Sequence, residues 1–522
     1  MDCNNNFVWF FRFVVLYNLV YLRDLGVLKI NYMRVSVKRK NIKFLPDPNR
    51  IIARFFMSGE LRTQQLIMRV LNLPDSKVNM ALEKTLREFA NRHRNISKVF
   101  MNHAIKIQDI IEGMEINFDE LTLERKLLIG AYCTSEYAIE SAAIFNPSMI
   151  EDLDQTYLGP GEKRVIISFR ATGEGHLSSL VFRRAVLDSN NDLIISRIGD
   201  DIDVPEISHK KLHDKKRFCD KLKEMDIPEK YSQNIMRDLP DKFEYYLLKN
   251  EVEKVLLNNT LSTDKQIALE EMTWLVDSFY DIKFHKDSDL SERVIFPISG
   301  AEKNGIEDAR FVNFTDDDNS VKIFATYTAY DGKTILPKLI STDDFYTFRV
   351  MPLHGNGARG KNLALFPKKI KGKYAMLARV DGVNNYIMYS ERTTLWNNPE
   401  ILQQPKYPWE FTQLGNCGSP IWTEEGWLII THGVGTMRRY CIGASLFDLD
   451  DPLKEIGRLK EPLLTPKEDE REGYVPNVVY SCGSLIHNNN LILPYGVSDY
   501  SSTYGVVDMT ELLDVLKKSK NA

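Results

Sequence analysis

Close spacing is what the cysteines of this chain lack. Six cysteines, Cys3, Cys133, Cys219, Cys417, Cys441 and Cys482, are scattered through 522 residues without near neighbours. That fits neither a zinc site nor the dense disulfide framework of a small secreted domain, and a reducing, cytoplasmic location is the expectation. The nine histidines form no recognisable zinc motif, and no loop has the acidic pattern of a calcium site, so no metal is expected. The Gly-x-Ser-x-Gly elbow is missing, as is a phosphate-binding loop of the Gly-x-x-x-x-Gly-Lys-Ser/Thr type, which removes the serine hydrolase and nucleotide hydrolase readings. Nor is there a surplus of one charge: 68 Lys and Arg face 72 Asp and Glu, for a formal net charge of -4. The short run Val37-Lys38-Arg39-Lys40 reads as a solvated face, and no nucleic-acid partner is expected.

One apolar run stands out. Phe7 to Leu22 is rich in aliphatic and aromatic residues, yet it carries Arg12, is short for a bilayer span of about 20 residues, and is followed by no small-residue cleavage site. The expectation is that residues 1–32 precede the true start at Met33; a noncleaved membrane anchor is the competing reading. The rest, with 43% apolar and 27% charged residues overall, has the composition of a soluble globular protein long enough for one large unit plus additions.

After an extended entry through Phe44 to Arg50, residues 58–120 show apolar positions at three and four spacing, as in Leu61, Leu66, Val70 and Leu71, and predict a helical extension over 33–125. Beyond Leu123 the text changes to short runs of Val, Ile, Phe and Tyr broken by Gly, Asn and Asp. Arg164 to Phe169, Asp192 to Ser196, Lys322 to Tyr327, Lys373 to Arg379, Gly426 to Thr431 and Leu491 to Pro494 are predicted strands. Helical periodicity returns over 210–284, with Phe243 to Leu248 and Ile267 to Met272 as its clearest segments, and reads as an insertion in a β body covering 126–515. Strand segments recur at intervals of roughly 50 residues, which suits four-stranded propeller blades. The pattern by itself does not separate a propeller from a large β-sandwich.

The residues that carry chemistry form two groups. Glu307 and Asp308 lie side by side after Asn304-Gly305, where a strand begins, so strand alternation sends one toward a cavity and the other away. Arg310 falls on the face of Asp308 and could hold its carboxylate. An acidic pair before a strand is also the ordinary text of a solvated turn. The second group is cationic: Arg170, Lys361, Arg379, His432 and Arg438, each at a predicted strand end or in the adjoining glycine-containing loop. Together they suit a phosphate, with bidentate contacts from Arg and a point charge from Lys. Each taken singly also reads as a surface cation or, for His432, a satisfied interior histidine. Trp409, Trp422, Trp427, Tyr474 and Tyr495 are available as sugar platforms, with Trp427 better read as core because it opens an apolar strand.

These segments resemble glycoside hydrolase family 130, the β-mannoside phosphorylases and their hydrolytic relatives. The resemblance runs in order through Phe145-Asn146-Pro147-Ser148, Gly305-Ile306-Glu307-Asp308-Ala309-Arg310, Tyr327-Thr328-Ala329-Tyr330, Lys361-Asn362-Leu363-Ala364-Leu365-Phe366-Pro367, Gly426-Trp427-Leu428 with His432-Gly433-Val434, Asp448 to Pro452, and Asn477-Val478-Val479-Tyr480 with Tyr495-Gly496 and Asp499. It implies a mainly β fold, a five-bladed β-propeller, and an inverting reaction with Asp308 as proton donor acting through the mannose 3-hydroxyl. Phosphate would attack the anomeric carbon and give α-mannose 1-phosphate. It further implies Arg170, Lys361, Arg379, His432 and Arg438 around phosphate, and Asn146, Glu307, Tyr330, Tyr495 and Asp499 around the sugar. The only partners implied are an oligosaccharide and inorganic phosphate as co-substrate, with no cofactor.

Two departures stand in the motifs, Ala309 where the family usually has Pro and Asn362 where Asp is common. The helical additions lie outside the compact family pattern; they could roof the pocket or join copies of the chain into a homo-oligomer. Three readings compete: a phosphorylase, a hydrolase of the same fold in which a carboxylate activates water, and a non-catalytic glycan-binding protein. Retention of Lys361 and His432 favours the first over the second, and the complete acid motif disfavours the third.

Overall fold

A computed structural model describes residues 35–199, 201–209, 212–257 and 261–519. The apolar run 7–22 and its competing readings lie outside the described residues. The body is mainly β, and its strands fall into antiparallel groups in chain order. The first comprises Ala143–Glu151, Lys163–Thr172 and Ser178–Leu187; the second Gly305–Thr315, Val321–Tyr330, Ile335–Thr342 and Thr347–Pro352. The third comprises Lys361–Leu365, Tyr374–Arg379, Asn385–Ser390 and Glu400–Gln403. Gln413–Asn416, Gly426–Val434, Tyr440–Phe447 and Glu455–Arg458 form the fourth. Val479–Tyr480, Asn490–Val497 and Ser501–Asp508 form the last. Every strand segment expected from the sequence coincides with one of these strands to within a residue or, for Asp192 to Ser196, surrounds the short strand Leu193–Ile195.

The apolar runs are continuous because the groups bury both faces. All nine residues of Gly426–Val434 are buried, and a strand covered on two sides has no polar face to alternate with. Ile166 and Phe182 of the first group pack with Phe311 and Ile340 of the second, and Phe314 and Leu339 of the second pack with Leu365 and Met376 of the third. Leu377 and Ile387 meet Trp427 and Phe447, and Leu428 and Leu446 meet Leu491 and Val507. Ile492 and Tyr504 of the last group share a cluster with Ile144 and Ile167 of the first. The first and second groups also join through one parallel pair, Gly305 with Ser178. Gly305 lies at φ 129°, and a Cβ there would come within 2.2 Å of Ser178 Oγ, so only glycine permits the approach.

The helical stretches have cores of their own. Ile67, Val70, Val78, Ile111 and Leu128 cluster among the first set of helices, and Phe218, Met236, Leu248, Leu269 and Met272 cluster within the second. In Glu60–Leu71 the buried positions are Thr63, Ile67 and Val70, whereas Leu61 is 76% exposed. The helix is where periodicity puts it and Val70 is buried as expected, but Ile67 rather than Leu66 fills the inward position and Leu61 points outward. Lys38–Arg39, within the stretch read as helical extension, is an edge strand on Ser501–Asp508. Two residues are too few for a periodicity signal.

Candidate active site

Three of the opening strands carry the same irregularity. Register breaks between Phe145 and Ser148, between Glu307 and Arg310, and between Lys361 and Ala364. In each break the residue after the first is left-handed: Asn146 at φ 49°, Asp308 at 54° and Asn362 at 63°. Asn and Asp are the side-chain-bearing residues that tolerate this conformation best, and a bulge re-aims the side chain it contains. Asp308 therefore occupies the place that asparagine fills in the two sister bulges.

The bulge overturns the expectation that Glu307 and Asp308 point to opposite faces. Both are gathered round Arg170, whose Nη2 donates to Glu307 Oε1 at 2.8 Å and whose Nη1 lies 3.7 Å from Asp308 Oδ1. Glu307 Oε2 accepts from Lys361 Nζ at 2.7 Å, so one carboxylate bridges two cations. Asp308 Oδ1 accepts from Asn146 Nδ2 at 2.7 Å. Arg310 does not hold the Asp308 carboxylate. It donates to the Asp308 main-chain carbonyl at 2.9 Å and to Tyr480 Oη at 2.7 Å, pinning the bulge from beneath. Tyr480 also accepts from Asn362 Nδ2 at 2.7 Å, and Asn416 Nδ2 donates to the Asn362 carbonyl at 2.6 Å.

Lys361 and Arg379 are register partners, and Arg379 Nη1 lies 3.3 Å from His432 Nε2. The other ring nitrogen, Nδ1, faces the Asn416 carbonyl at 3.1 Å, so a neutral ring protonated on Nδ1 donates there and accepts from Arg379. Burial, reinforced by Arg379 and Arg310, holds the His432 imidazole well below its ordinary titration range. It was grouped with the cations from sequence; here it contributes no charge and orients Arg379. Gly415 makes this packing possible, since a Cβ would come within 2.6 Å of His432 Cε1.

The carboxyls are pulled in opposite directions. Burial opposes ionisation of Asp308, but Arg170, Arg310, Lys361 and the Asn146 hydrogen bond outweigh it and hold the group below its ordinary value. Asp499, in the turn after Asn490–Val497, is pushed up to about 6, by burial first and by Asp308 and Glu307, against Arg170 and Arg438. Arg438 itself is exposed, in the turn after Gly426–Val434. Several buried polar atoms of the cluster have no partner: Asn146 Oδ1, Asn362 Oδ1, and Nε of Arg170, Arg310 and Arg379. Buried polar atoms are nearly always paired, so such a concentration points to a polar ligand.

Other expected site residues stand apart. Tyr495 is fully buried in an apolar cluster and donates to Glu470 Oε1 at 2.8 Å, so it offers no face to a sugar. Tyr330, beside Gly305, turns its hydroxyl to the Gly332 carbonyl. Trp427 is core, Trp409 packs on Gly433 and Gly443, and Trp422 lies under Lys368. Tyr474 is exposed and stacked on His176 at 3.9 Å. Tyr480 and Asn416 were missed as site residues; a tyrosine in an apolar run carries no sign that its hydroxyl anchors an arginine. Among the described residues no group of three His, Cys, Asp or Glu is arranged to hold a metal.

Residues 266–518 match the profile of a family described as beta-1,4-mannooligosaccharide phosphorylase. A 1,2-beta-oligomannan phosphorylase of Thermoanaerobacter sp. (strain X514) is 38% identical over 29% of this chain and 52% of its own length. A beta-1,2-mannobiose phosphorylase of the same organism is 37% identical over 39% of this chain and 67% of its own length. The chain thus spans about half to two thirds of these relatives. Among solved structures, the beta-1,2-mannobiose phosphorylase of Listeria innocua overlays with a TM-score of 0.42 at 21% identity, covering 73% of this chain and 93% of that one. This chain belongs to glycoside hydrolase family 130.

Proposed function

We propose that the chain is an inverting β-mannoside phosphorylase with the architecture of a five-bladed β-propeller. The observation that carries the activity is the carboxylate pair Glu307 and Asp308 set among Arg170, Lys361 and Arg379, with guanidinium Nε atoms still unpartnered. The architecture is supported by apolar clusters that join each strand group to the next and the last to the first.

In this reading a phosphate sits on Arg170, Lys361 and Arg379 and attacks the anomeric carbon. The glycosidic C–O bond breaks as Asp308 supplies the leaving oxygen with a proton by way of the mannose 3-hydroxyl, giving α-mannose 1-phosphate and a shortened sugar. Inorganic phosphate is a co-substrate, and no cofactor is needed. Hydrolysis would require a carboxylate free to activate water, and Glu307 is committed to Arg170 and Lys361.

The depressed titration of Asp308 fits a donor only if something raises it. Phosphate does so, because its negative charge offsets the same cations that hold the carboxyl ionised. The Asp308 carboxyl ¹³C resonance should titrate at higher pH with phosphate bound than without; an unmoved midpoint removes this step. The activity itself is tested with a panel of β-mannobioses and mannosyl-glucose, with and without phosphate. Mannose 1-phosphate formed only with phosphate is expected, and the substrate that yields it names the linkage. Free mannose formed regardless of phosphate would replace the phosphorylase with a hydrolase.

A further inference from the structure

Away from the carboxylate cluster, a cleft of about 400 Å³ lies between the helix Lys215–Glu224 and the segments around His354 and Arg392. That is within the range of small-molecule sites. Its lining combines Arg217, Lys221 and Arg392 with the rings of Phe279 and Tyr374. Of the carboxylates at the cleft, Asp214 accepts from the Arg217 main-chain N–H at 3.0 Å, Glu224 accepts from Gly355 N at 2.8 Å and Lys221 Nζ at 3.2 Å, and Glu391, exposed on the lining, lies 3.5 Å from Lys373 Nζ. The Arg217 and Arg392 side chains, by contrast, make no hydrogen bond or ion pair with a described residue. His354 Nδ1 is buried in the same place without a partner, and burial holds that imidazole neutral at ordinary pH. Nothing in the carboxylate cluster uses these groups.

We propose that this cleft is a second binding site, for a small molecule bearing a phosphate group. Two unengaged guanidinium groups provide bidentate contacts to phosphate oxygens, beside the Lys221–Glu224 ion pair. The His354 ring offers a hydrogen bond, and Tyr374 and Phe279 give an apolar wall for a sugar face. The volume exceeds what inorganic phosphate fills, which favours a hexose phosphate. The site is independent of the reaction proposed above, although the loop it touches runs from His354 to Lys361.

The test is calorimetric titration of the full chain with inorganic phosphate, mannose 1-phosphate and glucose 6-phosphate. The background carries Lys361→Ala and Arg379→Ala, which weaken the other anion site. One binding event should survive there and weaken at least tenfold when Arg217→Ala and Arg392→Ala are added. Both arginines are exposed, and an unchanged melting temperature shows that their removal leaves the fold intact. A hexose phosphate that binds tighter than phosphate identifies the former as the ligand; equal affinities identify phosphate itself. No binding in the background variant, or binding indifferent to Arg217 and Arg392, overturns the proposal.

Discussion

Glu302 and Asp308 both lie beside cations in the interior, with side chains 0% and 15% exposed, and of the two only Asp308 belongs to the candidate site. Glu302 accepts from Tyr280, Tyr327 and Lys338 on one oxygen and from the main-chain N–H groups of Ile298 and Ser299 on the other. Lys338 is completed by Ser299 Oγ, and no atom of the network is left unpartnered. Asp308, six residues on, stands among Arg170, Arg310 and Lys361, but its neighbours Asn146, Arg170 and Arg310 retain unpaired buried atoms. In both places neighbouring cations hold the carboxyl ionised. Saturation separates them: a closed network stabilises, whereas an open one waits for a ligand to complete it.

That contrast is broken most directly at Asp308. Asp308→Asn keeps the shape and the Asn146 neighbour but removes the proton, and should lower mannoside turnover by roughly 10²- to 10⁴-fold. Sugar binding measured by calorimetry should change little. Turnover near the original rate would remove Asp308 from the mechanism.

At Glu302 the expected loss is of stability instead. Lys338→Met leaves a carboxylate buried without its counter-ion and should cost about 3–5 kcal/mol in urea unfolding. Adding Glu302→Gln should restore much of it, and activity per folded molecule should hold throughout. The acid limb gives a second readout. Burial opposes ionisation of Glu302, yet Lys338, Tyr327 and the Ser299 N–H hold the carboxyl at about 2, below its ordinary 4.5. A depressed acid stabilises above its unfolded value, so this contribution is present at neutral pH and fades as pH falls from about 4.5 through about 2. In Lys338→Met that loss should begin at higher pH; an unshifted acid limb would mean that Lys338 does not set it.

The smallest effect sharpens the comparison from the cation side. Lys361 is 39% exposed at its side chain and pairs with Glu307. Lys361→Ala should raise the KM for phosphate by roughly 10- to 100-fold, as loss of a charged hydrogen bond implies, with a much smaller rise for the sugar. An equal rise in both would assign Lys361 to holding Glu307 rather than phosphate.

Much of this was legible in the text of the chain. Strand runs such as Val321–Tyr330 and Gly426–Val434 are readable because a two-faced burial leaves an uninterrupted apolar run. The acid motif and the cationic residues at strand ends were visible as residue types in the right local setting. Less was legible where partners are distant. Asn146 and Asp308 lie 162 positions apart, Arg170 and Glu307 137, and both Asn146 and Arg170 precede the segment matched by the family profile.

Tyr495 illustrates the opposite error. Its text, aromatic and next to glycine, suits a sugar platform, but burial depends on which strands stack over it. His432 reads as a cation, and its neutrality follows from Arg379 and Arg310 beside it in the fold. By itself, then, the sequence determined the strands, the helical stretches with their own periodicity, and the acid motif, because these rest on local pattern. Tertiary structure alone decided that a left-handed bulge brings Glu307 and Asp308 to the same cations, which groups are charged, and which buried atoms stay open. Those outcomes depend on through-space fields and on who packs against whom, and neither is written in the spacing of residues along the chain.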